Sequence, residues 1–164
     1  MSSTIDVDLL REVEQFLYRV ARYQDELEYD AWEALWTDDA IYWVPAGGDD
    51  TDPTRVMSII FDNRARIATR IKQLQTGKRH AQTPASRLRR IIANVELLDP
   101  VPASDDIAVG ANFLVHESRE RGVTTWAGRS EYRLRREGDD LKLAYKKVML
   151  VDNDRALNTL AFLI

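Results

Sequence analysis

Leu9, Val13, Phe16, Leu17, Val20, Tyr23 and Leu27 recur at spacings of three and four residues along the first part of the chain. Positions so spaced share one face of an α-helix, so the pattern predicts an amphipathic first helix. Asp6 or Asp8 can cap its start, and Glu12 and Glu14 suit the positive end of its dipole. A second, short helix is expected from Asp30, with Glu33 three residues on in the manner of a capping box. It presents Trp32, Leu35 and Trp36 and ends at Asp38 and Asp39. Ala40 to Val44 then reads as a strand stopped by Pro45. Residues 46–53 are a loop by composition. A third helix is expected from Asn63 or Arg64 to Thr76, with Ile67, Ile71 and Leu74 inward and Gly77 as its terminator.

From Arg89 onward the period changes from helical to alternating. Four strands are expected, with inward faces formed by Ile91, Ala93, Val95 and Leu97, by Ile107, Val109, Ala111, Phe113 and Val115, by Thr124, Trp126, Gly128, Ser130, Tyr132 and Leu134, and by Leu141, Leu143 and Tyr145. Turn residues separate them at Asp99-Pro100-Val101-Pro102, Arg121-Gly122 and Glu137-Gly138-Asp139-Asp140. Helices first and consecutive strands afterwards imply an α+β domain with an antiparallel sheet covered on one side by the helices. The stretch from Leu160 to Ile164 is apolar where chains normally fray into water. An added strand, an insertion into the core or a contact with a neighbouring subunit would each bury it.

Composition narrows the function classes. The 164 residues, 45% hydrophobic and 30% charged, suit one domain spanning 1–164. There is no cysteine, which excludes disulfides, thiolate catalysis and cysteine-ligated iron–sulfur or zinc sites. The apolar runs fall short of the roughly 18 residues of a membrane span, and the N-terminal residues do not read as a secretory signal. The expectation is a cytoplasmic protein without a membrane partner.

The net charge of −4 argues against nucleic acid as a partner. Its distribution is uneven: local balances are −11 over residues 1–63, +9 over residues 64–90 and −2 over the rest. The basic run holds Arg64, Arg66, Arg70, Lys72, Lys78, Arg79, Arg87, Arg89 and Arg90. It either folds against the acidic first third or meets an acidic partner subunit, since arginine is favoured at interfaces.

Candidate catalytic residues are few. A mononuclear iron site wants two histidines and a carboxylate, but His80 and His116, the chain's two histidines, lack the short spacing that would suggest one. His116 lies on the polar side of its strand pattern. Tyr23, Asp25, Tyr29, Asp30, Tyr42, His80 and His116 offer material for a general acid–base pair, yet Tyr23 sits on an apolar helix face, Tyr42 adjoins Trp43 in a core-like strand, and Asp30 reads as a cap. Trp32, Trp36 and Trp43 are expected in the core. Trp126 and Arg129 are candidates for a subunit contact, because Trp and Arg are frequent interface anchors.

One succession of residues is more specific than any of these patterns. Tyr42-Trp43-Val44-Pro45 is followed by Ser58-Ile59-Ile60-Phe61-Asp62-Asn63-Arg64-Ala65-Arg66, then Pro84-Ala85-Ser86-Arg87-Leu88-Arg89-Arg90 and Asn94-Val95. The order resembles the small (beta) subunits of bacterial aromatic-ring-hydroxylating dioxygenases. The resemblance runs from Phe16-Leu17-Tyr18 to the closing Asn158, Leu160, Phe162, Leu163 and Ile164. It implies the cone-shaped α+β fold of the nuclear-transport-factor-2-like superfamily, with N-terminal helices packed on a strongly curved, mainly antiparallel sheet.

By the same resemblance, the chain is a structural subunit with no catalytic, cofactor-binding or metal-binding residues of its own. A larger alpha subunit would carry the Rieske [2Fe–2S] cluster and the mononuclear iron. NADH or NADPH would supply electrons through a reductase, with or without a ferredoxin. An alpha3beta3 hexamer is implied, with Arg64, Arg66, Arg87, Arg90, Trp126 and Arg129 as candidate contacts. The acidic loop after Pro45 is more similar to subunits of benzoate- and salicylate-type systems, which points to an aromatic acid. A free-standing isomerase or dehydratase of the same fold is the alternative, and a binding module with an occupied pocket is a third class.

Overall fold

The computed structural model describes residues 4–77 and 84–164. Helix α1 (Val7–Asp25) and the short α2 (Tyr29–Glu33) lead into strand β1 (Trp36–Val44). After a loop come β2 (Ile60–Asn63) and helix α3 (Arg64–Gln75). Four long strands complete the chain: β3 (Arg87–Leu97), β4 (Ile107–Arg119), β5 (Gly122–Glu137) and β6 (Asp140–Leu150). They form one six-stranded sheet in the order β2-β1-β6-β5-β4-β3, antiparallel except where β1 runs parallel to β6. The architecture is the expected α+β arrangement of helices on a mainly antiparallel sheet.

The helices form where the sequence periods place them. Asp6 caps α1 by accepting from Leu9 N at 3.0 Å, and Val13, Phe16, Leu17 and Val20 are buried. Leu27 lies beyond the helix end, at φ 57°. Asn63 caps α3 by accepting from Arg66 N, and Ile67, Ile71 and Leu74 face the core. The second helix departs from expectation. It starts at Tyr29 with no side-chain cap bond; Asp30 instead accepts from Gln75 Nε2 at 2.6 Å and Glu33 from Arg64. Trp36 is the first residue of β1, and Asp38 and Asp39 are exposed strand positions rather than a helix end. Short β2 carries no alternation long enough to announce itself, and it forms by pairing with Ile41 to Val44.

Two β-bulges change which side chains face inward. In β3 the pairing with β4 slips between Ala93 and Glu96, where Asn94 takes φ 53°. Leu88 and Ile92 therefore face the core before the bulge and Val95 and Leu97 after it, while Ile91 is 65% exposed. The expected face of Ile91, Ala93, Val95 and Leu97 is thus two half-faces. In β6 the extra residue is Ala144: Leu143 pairs with Leu134 and Tyr145 with Arg133. Tyr145 leaves the Leu141 and Leu143 side and lies under Arg133, 4.9 Å from ring centroid to guanidinium, and Lys146, Val148 and Leu150 turn inward. A bulge reverses side-chain parity because it adds one residue to a period of two.

The core lies between the helices and one face of the sheet. Trp32, Trp36 and Tyr42 pack with ring centroids 5.2, 5.9 and 5.5 Å apart. The C-terminal stretch adds no strand. It inserts into the core, with Ala161, Phe162, Leu163 and Ile164 each at most 4% exposed. Burying Phe162, Leu163 and Ile164 stabilises by about 1.5–3 kcal/mol each, which accounts for this apolar segment without an added strand.

Candidate functional site

The interior of the cone is polar at its centre, and its polar groups converge on the C-terminal segment. Tyr42 Oη donates to Ile164 O at 2.6 Å and accepts from Ile164 N at 3.1 Å. Lys146 Nζ donates to the same carbonyl at 2.9 Å, and an Arg90 terminal nitrogen donates to Leu163 O at 2.9 Å. Arg90 reaches this point from β3 through an ion pair with Asp25 of α1, 2.7 Å long, in which both side chains are 3% exposed. Asp25 also accepts from Arg90 N, so one carboxylate holds both the main chain and the side chain.

Electrostatics follow from this burial. Tyr42 is pushed up to about 12, chiefly by desolvation, which outweighs the neighbouring Arg70 and Arg90 charges and the bond to Ile164. Lys146 is held well below the ordinary lysine value by burial and then by the Arg90 charge. A buried lysine amine beside a tyrosine has the ingredients of acid–base chemistry. Here, however, both groups bond to the chain's own main-chain atoms. The space left among Leu17, Gln24, Arg90, Phe113, Tyr132 and Ile164 is about 10 Å³, too small for a substrate.

The other acid–base candidates do not converge. Tyr23, Tyr29 and Asp30 line a separate cleft bounded by Leu74 and Gln75. His116 is exposed on the outer side of β4, opposite Arg89 and Thr125. His80 lies outside the described residues. Among the described residues, no group of three or more His, Asp or Glu side chains is placed to hold a metal ion.

Four arginines of the basic run meet acids of the first third, while Lys78 and Arg79 lie outside the described residues. Arg64 pairs with Glu33 at 3.1 Å, Arg70 with Asp62 at 2.7 Å, Arg90 with Asp25, and Arg89 approaches Glu26 at 4.0 Å. Of the interface candidates, Arg66 and Arg87 are exposed and Arg64 half-buried. The Arg90 side chain is internal, so its charge serves the fold. Trp126 is internal too: it is 5% exposed, meets Phe162 edge to face at 5.7 Å and donates to the buried Glu117 carboxylate at 3.1 Å. Ser86 Oγ bonds the other Glu117 oxygen at 2.6 Å.

Arg129 alone of the pair reaches the outer face. Its guanidinium lies across Gly110 to reach Asn112 at 3.3 Å and Glu96 at 3.2 Å. A Cβ on Gly110 would come within 2.3 Å of that guanidinium. The importance of Lys146 and Glu117 was not legible in the strand pattern, because a bulge precedes one and the other is enclosed by Ser86 of a different segment as well as by Trp126. For Asp62 and Arg70 the charge balance between the two segments was a usable signal.

Three comparisons set this geometry beside known proteins. A family described as "Ring hydroxylating beta subunit" matches residues 19–155. Toluate 1,2-dioxygenase subunit beta of Pseudomonas putida is 31% identical over 153 residues, covering 90% of this chain and 91% of that one. The small oxygenase component of the p-cumate 2,3-dioxygenase system of Pseudomonas putida is 30% identical over 145 residues, 85% of this chain and 77% of its own length. Among solved structures, the beta subunit of benzoate 1,2-dioxygenase from Burkholderia mallei superposes with TM-score 0.77 at 29% identity, covering 98% of this chain and 99% of that one. A naphthalene 1,2-dioxygenase chain gives TM-score 0.84 at 19% identity, covering 99% and 89%; at that identity the likeness is one of fold.

Proposed function

The chain belongs to the ring-hydroxylating beta-subunit family, and on that premise we propose that it is the structural small subunit of a Rieske non-haem iron aromatic-ring-hydroxylating oxygenase. Its task is to hold catalytic alpha subunits in a fixed arrangement, as an alpha3beta3 hexamer. The Rieske cluster and the mononuclear iron belong to the alpha subunit, and electrons arrive from NADH or NADPH through a reductase, with or without a ferredoxin. Because electron transfer falls steeply with distance, a rigid base serves catalysis without touching substrate. Cytoplasmic location goes with this reading.

The observation that carries the non-catalytic part is the filled cone. Tyr42, Lys146 and Arg90, which could otherwise form a reactive centre, are bonded to the main chain of residues 163 and 164. An isomerase or dehydratase would need that volume for its substrate, so no observation favours the alternative. Relatives named for p-cumate, toluate, benzoate, 2-halobenzoate and anthranilate support an aromatic carboxylic acid as the substrate of the complex. Relatives named for benzene and biphenyl stand at comparable identity.

The test is co-expression with a Rieske-type alpha subunit. A stable complex that oxidises an aromatic acid, together with an isolated small chain that is iron-free and inert, is expected. Iron or turnover in the chain purified alone would overturn the proposal.

A further inference from the structure

Helix α1 brings one amide into the cone. Gln24 falls on the buried face of the helix with Leu17 and Val20, at a position where the pattern asks for an apolar residue. It is 2% exposed, and its side-chain nitrogen is buried without a hydrogen-bond partner. Its side chain lines the space of about 10 Å³ at the centre of the cone, together with Arg90, Ser130, Tyr132, Lys146 and Ile164. A bare buried donor is costly, so folded proteins pair nearly all of them, with protein groups or with ordered water. The indole nitrogens of Trp32 and Trp36 are also unpartnered, but they belong to the ring cluster with Tyr42 and do not line this space.

The surroundings of the Gln24 amide are those of a wet site rather than a dry void. Cavities that stay empty are apolar, whereas polar ones hold water. Lys146 Nζ directs one N–H to Ile164 O at 2.9 Å, and an ammonium carries three donors. That amine lies between two rings, 5.8 Å from the Tyr42 centroid and 5.7 Å from the Tyr132 centroid. Tyr132 is the strand partner of Lys146, and Ser130 is buried on the same side of β5. Their two hydroxyls can each donate or accept. A single water needs about 10–15 Å³ and about two to four polar partners, and the space meets both conditions.

A small anion is the competing occupant, because the lining offers donors and the Arg90 cation. Size and solvation disfavour it. A halide is larger than a water and would shed its whole hydration shell to enter. Arg90 is already paired with Asp25, and burial holds Lys146 below the ordinary lysine value, which weakens its pull on an anion.

We infer that the space beside Gln24 is a binding site for one water molecule, which accepts from the Gln24 amide and joins it to Lys146 and to the hydroxyls of Ser130 and Tyr132. The water links α1 to β5 and β6. It completes the polar centre that Tyr42, Lys146 and Arg90 build around residues 163 and 164. The site belongs to the fold of the single chain and is present with or without an alpha subunit.

Crystals of the full chain grown with bromide as the only halide test this site, at a resolution that shows ordered water. One density peak at hydrogen-bond distance from Gln24 Nε2 and Lys146 Nζ, with no anomalous signal at the bromine edge, is expected. Gln24→Met keeps the length of the side chain and removes the donor, and its crystals should lose the peak. In solution, the side-chain amide protons of Gln24 in the parent chain should cross-relax with a long-lived water, a signal that does not depend on the variant folding. No peak in the parent chain, an anomalous peak, or a Gln24→Met structure that keeps the water would overturn the assignment. So would Gln24 amide protons that show no contact with water.

Discussion

The Tyr42 hydroxyl both donates to and accepts from the main chain of Ile164, 122 residues away. That pair closes the cone from within: one phenol satisfies the buried N–H and one lone pair of the carbonyl. Tyr42→Phe keeps the ring packing and strands the N–H. Leaving a buried donor unsatisfied costs about 1–3 kcal/mol. For a domain of this size the melting temperature should fall by about 2–10 °C, and calorimetry on the purified chain reads the change. An unaltered melting temperature would mean the terminal segment is not held by this bond.

Arg90 and Asp25 should behave as a structural pair rather than as surface charges. Removing one partner of a buried ion pair costs about 3–5 kcal/mol because the other charge is left in a poor solvent. Arg90→Ala is therefore expected to unfold at markedly lower urea concentration, whereas Arg87→Ala, at an exposed position, should shift stability by at most about 0.5 kcal/mol. The double variant Arg90→Met with Asp25→Leu should recover part of the loss. Equal stability of the two arginine variants would refute the assignment.

The interior sets a pH dependence with two opposing signs. Lys146 binds its proton less readily in the folded chain than in the unfolded one, so its contribution is complete above the unfolded lysine value near 10.4 and is lost as the pH falls toward the folded value. Tyr42 is raised to about 12, so its contribution is complete below the unfolded value near 10 and is lost as the pH rises through about 12. Lys146→Met should reduce the gain in stability as the pH rises toward the unfolded lysine value, while Tyr42→Phe should reduce the alkaline loss, both read by urea titration. Unchanged slopes in both variants would remove these groups from the account.

Gly110 and Gly128 are both needed, but for different reasons. A Cβ at Gly128 would lie 2.3 Å from Met149 O, a main-chain atom of the neighbouring strand. Gly128→Ala should cost about 1–3 kcal/mol, since the backbone must shift. At Gly110 the obstacle is the end of the Arg129 side chain, which can swing away. Gly110→Ala should cost under about 1 kcal/mol and become nearly neutral in an Arg129→Ala background. A double-mutant cycle without coupling would exclude the crossing geometry.

How far the sequence reached depended on whether the controlling interactions were local. Helices α1 and α3, with their caps at Asp6 and Asn63, were readable because capping and a 3.6-residue period act within a few residues. The faces of β4 and β5 were readable because no bulge interrupts them. The family was legible from the motif around Asp62, Asn63 and Arg64, and the charge imbalance between segments offered as one of two readings that arginines of the central run would meet acids of the first third. The inward faces of β3 and β6 were not legible. Asn94 and Ala144 each add one residue to an alternating pattern, and nothing nearby in the sequence signals which residue will be left unpaired. The capping box at Asp30 failed because Gln75 and Arg64, distant in sequence, compete for its two carboxylates.

By itself, then, the order of amino acids determined the α+β class, the starts of α1 and α3 and the kinship. Tertiary structure alone decided that Arg90 and Trp126 work inside the molecule, that Lys146 is buried, and that the last residues fill the cone. Each of those outcomes depends on desolvation, which is a property of what a side chain is packed against. Asp25 and Arg90, 65 residues apart, and Tyr42 and Ile164, 122 apart, are brought together by chain topology, not by any spacing in the sequence.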